Sequence, residues 1–354
     1  MAATTEDSGT RFCFLVDWYD GHADLSRSYQ LFYFPVDQTI EMYDVKQRRS
    51  FLKRTRVDLR LQDLYIGAAV NVNARQLVIR GYGDEFTQNE LQHQMERTLM
   101  VIKPNAFREA GEILDDVQKR GFTLCRLRML QISRQNADSI CRFEQNGASD
   151  LAGGRAIAVE LMKPNAVGEL VANFNGGGRK NVYIASSAQS VQQGLDEIFN
   201  EPAYSRIPRT AVFQNSTLAL IRPHAVNSGM TGQILNEILK AGYEVNDMEL
   251  FRLENANAEE FLEVYKGVVP EYHSMLNHLT SGPVIALEIS GKPDIVNNFR
   301  EFCGPMDPEL GRVLRPQSIR AQFGSDKVHN AIHCTDLDED GPLEIQYFFR
   351  ILVT

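Results

Sequence analysis

The chain has 354 residues, 43% hydrophobic and 23% charged, with a formal net charge of -9. That length asks for two or three domains rather than one core, and the composition is that of globular protein. The acidic balance argues against a general nucleic-acid binder, and no apolar stretch is long enough to cross a bilayer. The start, Met1-Ala2-Ala3-Thr4-Thr5-Glu6-Asp7, lacks the basic flank and apolar run of a secretory signal. Five cysteines, at 13, 125, 141, 303 and 334, are odd in number and widely spaced, with no Cys-x-x-Cys. They fit a reducing compartment better than a disulfide framework or structural zinc.

In chain order, the first block spans 1–93. Arg11 to Tyr19, Ser28 to Pro35, Thr39 to Asp44 and Asn71 to Arg80 are rich in aromatic and β-branched residues, with glycines and acidic turns between them. They predict a small antiparallel β domain. Lys46 to Arg56 is the densest basic run in an acidic chain. It reads either as a solvated loop or as a patch, centred on Arg48, Arg49, Lys53 and Arg54, that faces an acidic partner.

Two related blocks follow, 94–200 and 209–354. Thr98-Leu99-Met100-Val101-Ile102-Lys103-Pro104 matches Thr217-Leu218-Ala219-Leu220-Ile221-Arg222-Pro223. Each predicts a buried strand, then an amphipathic helix, Gly111 to Arg120 or Gly232 to Ala241, stopped by Gly121 or Gly242. Second strands follow, Phe122 to Ile132 and Tyr243 to Leu253. Ala156 to Leu161 then matches Val284 to Ile289, and Val171-Ala172-Asn173-Phe174 matches Val296-Asn297-Asn298-Phe299. Several matches in one order imply a duplicated domain. Asn175-Gly176-Gly177-Gly178 predicts a loop, and Glu201-Pro202 through Pro208 a linker.

Near the end stands Asn330-Ala331-Ile332-His333-Cys334-Thr335-Asp336. A histidine titrating near neutrality can attack phosphorus. With its surroundings, the segment from Thr217 onward resembles the nucleoside diphosphate kinases. The resemblance implies a fold of α+β class: after the small antiparallel β domain come two ferredoxin-like α/β sandwiches, the first degenerate. It also implies γ-phosphate transfer between nucleotides through a phosphohistidine. His333 matches the nucleophile, Glu344 the carboxylate that orients it, and Thr335 its hydroxyl neighbour. Arg222, Arg300 and Arg320 match phosphate-gripping cations, Asn330 a ribose contact and Tyr265 an active-site tyrosine. Tyr272 is placed as the base-stacking aromatic. Magnesium would arrive with the nucleoside triphosphate, with no protein cage.

Two residues depart from the family pattern. Arg222 stands where the family has lysine, and Met306 where it has a threonine hydroxyl. Such a lost donor costs about 2.7–4 kcal/mol in preorganised sites, so binding is expected to survive better than turnover. The stretch from Pro305 to Pro316 is slightly longer than the family norm. The first copy holds no histidine between His93 and His224. It keeps Lys103, has Asn175 where the second copy has Arg300, and reads as a pseudoenzyme. Two fused copies imply an internal pseudo-dimer rather than the family's hexamer.

A β module ahead of two kinase-like copies is similar to the axonemal members of the family. That resemblance implies a microtubule inner protein of ciliary and flagellar doublets, with tubulin and other doublet proteins as partners. The expected location is the cytoplasm and cytoskeleton, at axoneme, centrosome or basal body, with neither membrane nor nucleic acid as partner. Three functions compete: a structural doublet protein with a partly retained site, a working kinase, and a nucleotide-sensing adaptor.

Overall fold

The computed structural model describes residues 10–20, 23–73, 75–144, 150–175, 181–200 and 206–353. The glycines of the expected loop, 176–178, and most of the expected linker, 201–205, lie outside these. Two compact units divide at 95/96.

The first unit is one antiparallel sheet with a helix. Its strands are β1 (Phe12–Asp20), β2 (Leu25–Phe34), β3 (Thr39–Asp44), β4 (Arg49–Arg56), β5 (Ala69–Val72) and β6 (Arg75–Tyr82), in the order β4-β3-β2-β1-β6-β5. Alternation sets its buried face, as Tyr29, Leu31 and Tyr33 on β2 show. The helix α1 (Glu85–Gln94) starts at Asp84, whose carboxylate accepts from Thr87 N–H, and Thr87 Oγ1 accepts from Cys13 N–H of β1 at 2.7 Å. Two expectations change. The run 71–80 is not one strand, because Asn73, with φ of 48°, turns the chain between β5 and β6. The basic run is not a loop either: residues 49–56 form the edge strand β4, paired on one side by β3.

The second unit holds both copies. The first contributes β7 (Glu96–Ile102), α2 (Ala110–Lys119), β8 (Thr123–Gln131), α3 (Arg134–Ile140), β9 (Arg155–Lys163), α4 (Ala166–Leu170), β10 (Val182–Ile184) and α5 (Ala188–Phe199). The second begins with β11 (Thr217–Ile221), α6 (Pro223–Asn227), α7 (Thr231–Lys240), β12 (Glu244–Phe251), α8 (Asn255–Phe261) and α9 (Tyr272–Leu279). It continues with β13 (Val284–Ser290), α10 (Ile295–Cys303), α11 (Pro308–Leu314), α12 (Ile319–Phe323), β14 (Ile332–Cys334) and α13 (Gly341–Gln346). All eight strands make one sheet, β10-β7-β9-β8-β12-β13-β11-β14. Its two halves are mirror orders of one four-stranded antiparallel sheet, as expected for duplicated ferredoxin-like sandwiches.

The halves join at β8 and β12, where Arg128 pairs with Glu249. Arg128 is fully buried and donates to Ile198 O and Ile207 O at 3.2 and 2.8 Å. Arg155 and Arg252 reach across to Val245 O and Cys125 O. On one face α2 packs on α7, and the close approach requires glycine. A Cβ on Gly232 would sit 2.1 Å from Asp115 N, and one on Gly111 2.5 Å from Asn236 N. The joined halves share a core that runs through Ile113, Leu114, Ile234 and Leu235.

Candidate active site

The turn before β14 sets up the site. Ala331 has φ of 70° and Ile332 N–H donates back to Asn330 O at 2.9 Å. That is a γ-turn of the rare positive-φ kind, a strained conformation held by its surroundings. Arg222 N–H holds it by donating to Ala331 O at 2.9 Å. β14 then pairs with β11, so that His333 faces Leu220 in register.

His333 is buried, with Phe261 edge-on at 5.1 Å. Its Nε2 lies 3.1 and 3.3 Å from the two oxygens of Glu344. Glu344 Oε2 also accepts from Thr335 Oγ1 at 2.8 Å, and that hydroxyl accepts from Leu218 N–H at 3.2 Å. A chain from backbone to hydroxyl to carboxylate to imidazole is thereby fixed. With the carboxylate on Nε2, that nitrogen carries the proton and Nδ1 keeps its lone pair.

The cations sit at different depths. Arg222 and Arg320 are buried, and Arg300 is half exposed. Arg222 Nη1 donates to Val328 O at 2.8 Å, and burial together with the nearby Arg320 charge brings its pKa down to about 10. Arg320 donates from Nε to Ile332 O at 3.0 Å and from Nη1 to Gly304 O at 2.8 Å. Arg300 Nη1 donates to Asp336 O at 3.3 Å, with Nε 3.5 Å from the Asp336 carboxylate. Asn330 is fully buried and donates from Nδ2 to Met306 O at 3.2 Å. Arg222 Nε and Asn330 Oδ1 are buried without a hydrogen-bond partner. The structure therefore gathers His333, Glu344 and Thr335 at β14, with Asn330 on the turn that leads into it and Arg320 and Arg222 anchored to that turn and strand.

Tyr265 hydroxyl donates to Asp336 Oδ2 at 2.6 Å. Burial and this bond push the phenol above its usual range, so it stays a donor. Asp336 thus ties Tyr265 and Arg300 to the histidine strand. It stands in the same run as His333, yet its role depends on contacts that only the fold makes. Tyr272 is a correction. It is buried in the core with Leu253, Met275 and Leu279, and so offers no open face for a base to stack on. Met306 packs partly buried against that core, and its backbone oxygen, not its side chain, meets Asn330.

The first copy shows what replaced the chemistry. Ile102 pairs with Val182 as Ile221 pairs with Ile332, so Tyr183 stands at the place of His333. Ala185 N–H donates to Leu99 O as Thr335 N–H does to Leu218 O, which puts a methyl where the hydroxyl was. Lys103 remains, buried, 3.6 Å from Asp150. No shared motif surrounds Tyr183, so only the strand register aligns it with His333.

Of the sequence-derived partner residues, Arg48, Arg49 and Lys53 are exposed around β4. Arg54 is committed elsewhere, to Asp37 at 2.9 Å and over the Phe34 ring at 3.8 Å. Among the described residues no group of three His, Cys, Asp or Glu could hold a metal ion, and no helix is long and apolar enough to cross a membrane.

Comparison with known proteins agrees with this geometry. The "Nucleoside diphosphate kinase" family model matches residues 96–148 and 215–352, and the "Nucleoside diphosphate kinase 7 N-terminal PH domain" model matches 6–93. The chain is 43% identical to the nucleoside diphosphate kinase homolog 7 of Rattus norvegicus and 42% to that of Mus musculus, each over 98% of this chain and 95% of the relative. A nucleoside diphosphate kinase of Aquifex aeolicus is 37% identical over 38% of this chain and 92% of its own. The chain belongs to the nucleoside diphosphate kinase family.

Proposed function

We propose that the second copy binds a magnesium nucleoside triphosphate and moves its γ-phosphate through His333, and that the first unit stations the protein on axonemal doublet microtubules. The observation that carries the first part is the fixed chain from Leu218 N–H through Thr335 and Glu344 to His333 Nε2. It leaves Nδ1 to attack the γ-phosphorus. The Nδ1–P bond forms, the bond to the bridging oxygen breaks, and the diphosphate leaves with that electron pair. A second diphosphate reverses the step. Buried Arg222 and Arg320 and half-exposed Arg300 suit a group that spreads charge over three oxygens. Arg222 Nε and Asn330 Oδ1 are costly to leave unmet and fit a phosphate oxygen and a nucleotide hydroxyl. Magnesium belongs to this substrate and would screen the phosphate charge. The carboxylates of the site are engaged by His333, Thr335, Tyr265 and Arg300.

The microtubule part is supported by the exposed basic residues on an unpaired sheet edge, a surface suited to acidic tubulin. A protein with the dead first copy and Met306 at the second would serve mainly as a doublet component, with slow turnover.

The test is incubation of the full chain with γ-labelled ATP and Mg²⁺. An acid-labile phosphate is expected on His333 and none in His333→Ala. Label that persists unchanged in that variant overturns the assignment.

A further inference from the structure

The two copies treat one place on the sheet differently. In the second copy Glu288 of β13 lies opposite Leu218 of β11 and Asp247 of β12. Residues 210–213 run over these acids. Thr210 and Ala211 N–H donate to Asp247 Oδ2, Val212 and Phe213 N–H donate to Glu288, and the Ser216 hydroxyl donates to Glu288 Oε1. In the first copy Glu160 of β9 lies opposite Leu99 of β7 and Arg126 of β8. Glu160 therefore stands for Glu288, Arg126 for Asp247 and Arg97 for Ser216. The residues at the places of 210–213 are 91–94, and they end helix α1 instead of crossing the acids. Here lies a cavity of about 300 Å³, walled by Val167, Val191 and Leu195 beside the two arginines.

We propose that this cavity is a docking seat for a linear segment of a partner protein, which brings a carboxylate to Arg126 and an apolar side chain to Val191 and Leu195. The seat matches one that a linear segment of this chain already fills in the second copy. Its polarity is reversed. The acid pair of the second copy accepts from backbone N–H groups. Glu160 is answered from within, by Arg97 Nη1 at 3.1 Å and Arg126 Nε at 2.6 Å. Arg126 is 34% exposed, and its Cζ lies 4.6 Å from the centre of the Phe199 ring. Its two Nη groups meet no partner among the described residues, so the outer edge of the fork is open to a carboxylate. The other acids around the cavity are engaged: Asp196 accepts from Gln192 and Asn200, and Glu96 accepts from Val167 N–H. An inorganic anion would leave the apolar wall unused, and a wholly apolar ligand would bury a guanidinium without an acceptor. A peptide segment with both groups answers each half of the seat. Docking here needs neither nucleotide nor His333.

The experiment pans the immobilised full chain against a displayed library of random heptapeptides, then measures one enriched sequence as a fluorescein-labelled synthetic peptide. Enriched peptides should share an Asp or Glu close to an apolar residue. Arg126→Gln should weaken the labelled peptide by roughly tenfold or more, the scale of one charge-assisted hydrogen bond. Changing the acid of the peptide to its amide should cost the same, and the two changes together should cost little more than either alone. Ala188 is exposed on the rim of the cavity, and Ala188→Trp fills its mouth without touching a charge, so it should abolish binding. Should Arg126→Gln fold poorly, Ala188→Trp and the amide peptide decide between them. A library that yields no enriched peptide overturns the seat, and so do peptides that bind Ala188→Trp as they bind the parent. Peptides lost in Ala188→Trp but indifferent to Arg126→Gln and to their own acid overturn the carboxylate contact.

Discussion

At the scale of single residues, the Glu344 carboxylate sets the tautomer of His333. A glutamine there presents an N–H to Nε2 as readily as an oxygen, which drives the proton onto Nδ1 and blocks attack. Glu344→Gln should therefore slow single-turnover phosphorylation of His333 by roughly a hundredfold or more, as wrong-tautomer variants do elsewhere. An unchanged rate would show that another group orients the ring. A second prediction concerns histidines outside the catalytic chain. His224 Nδ1 lies 3.1 Å from His278 Nε2, and the His329 ring packs edge-on against His224 and tilted against His278, with its own Nδ1 on Asp326. Burial, then the charges of His329 and Arg222, hold His224 down at about 4, and His278 is depressed by burial and Arg222. Depressed histidines are neutral in the fold but take protons in the unfolded chain below about 6.5. The unfolded state then binds more protons, so stability present above that pH is lost as pH falls toward 4. Denaturant melts of His224→Gln should show a flatter acid limb than the parent between these pH values. Parallel curves would mean that the pair is protonated in the fold.

At the scale of elements, the approach of α2 and α7 decides whether the copies stay joined. Gly232 and Gly111 leave no room for a side chain, because their neighbours there are backbone atoms that cannot rotate away. Gly232→Val should destabilise the second unit by about 1–3 kcal/mol, the usual cost of overpacking. The loss should appear in chemical denaturation while the first unit keeps its own transition. Equal stability of both proteins would mean that the helices slide apart freely. The same scale explains a difference between the copies. Residues 210–213 lie along the second half-sheet and donate backbone N–H groups to Asp247 and Glu288. In the first half-sheet Glu160 is met instead by Arg97 and Arg126, beside a cavity of about 300 Å³ that also includes Val191 and Leu195. That cavity is away from His333 and takes no part in the chemistry proposed.

At the scale of the whole molecule, two functions are proposed for two units, and they should separate by mutation. Reversing Arg48, Arg49 and Lys53 to Glu should weaken retention on axonemes and make it more salt-sensitive, since exposed charge contacts are screened. Phosphorylation of His333 should be untouched. Arg54→Glu is the less informative variant, because Arg54 already serves Asp37 and Phe34. Retention measured by salt extraction, beside His333→Ala, decides the matter: loss in the histidine variant and none in the charge-reversed one would sink the structural role.

By itself the sequence determined the duplication, the β-rich first block and the family. Those rest on local periodicity and on short motifs whose residues are contiguous, such as Asn330 to Asp336. It also marked His333, Glu344 and Thr335 as one group by resemblance. Tertiary structure alone decided what depends on register and burial. The basic run became an edge strand because β3 pairs with it, and 71–80 became a hairpin because Asn73 takes a left-handed turn. Tyr272 went to the core, Asp336 gathered Tyr265 and Arg300, and Tyr183 took the place of the histidine in the first copy. A side chain's composition is written in the chain, but which neighbours close over it is set only when distant strands meet.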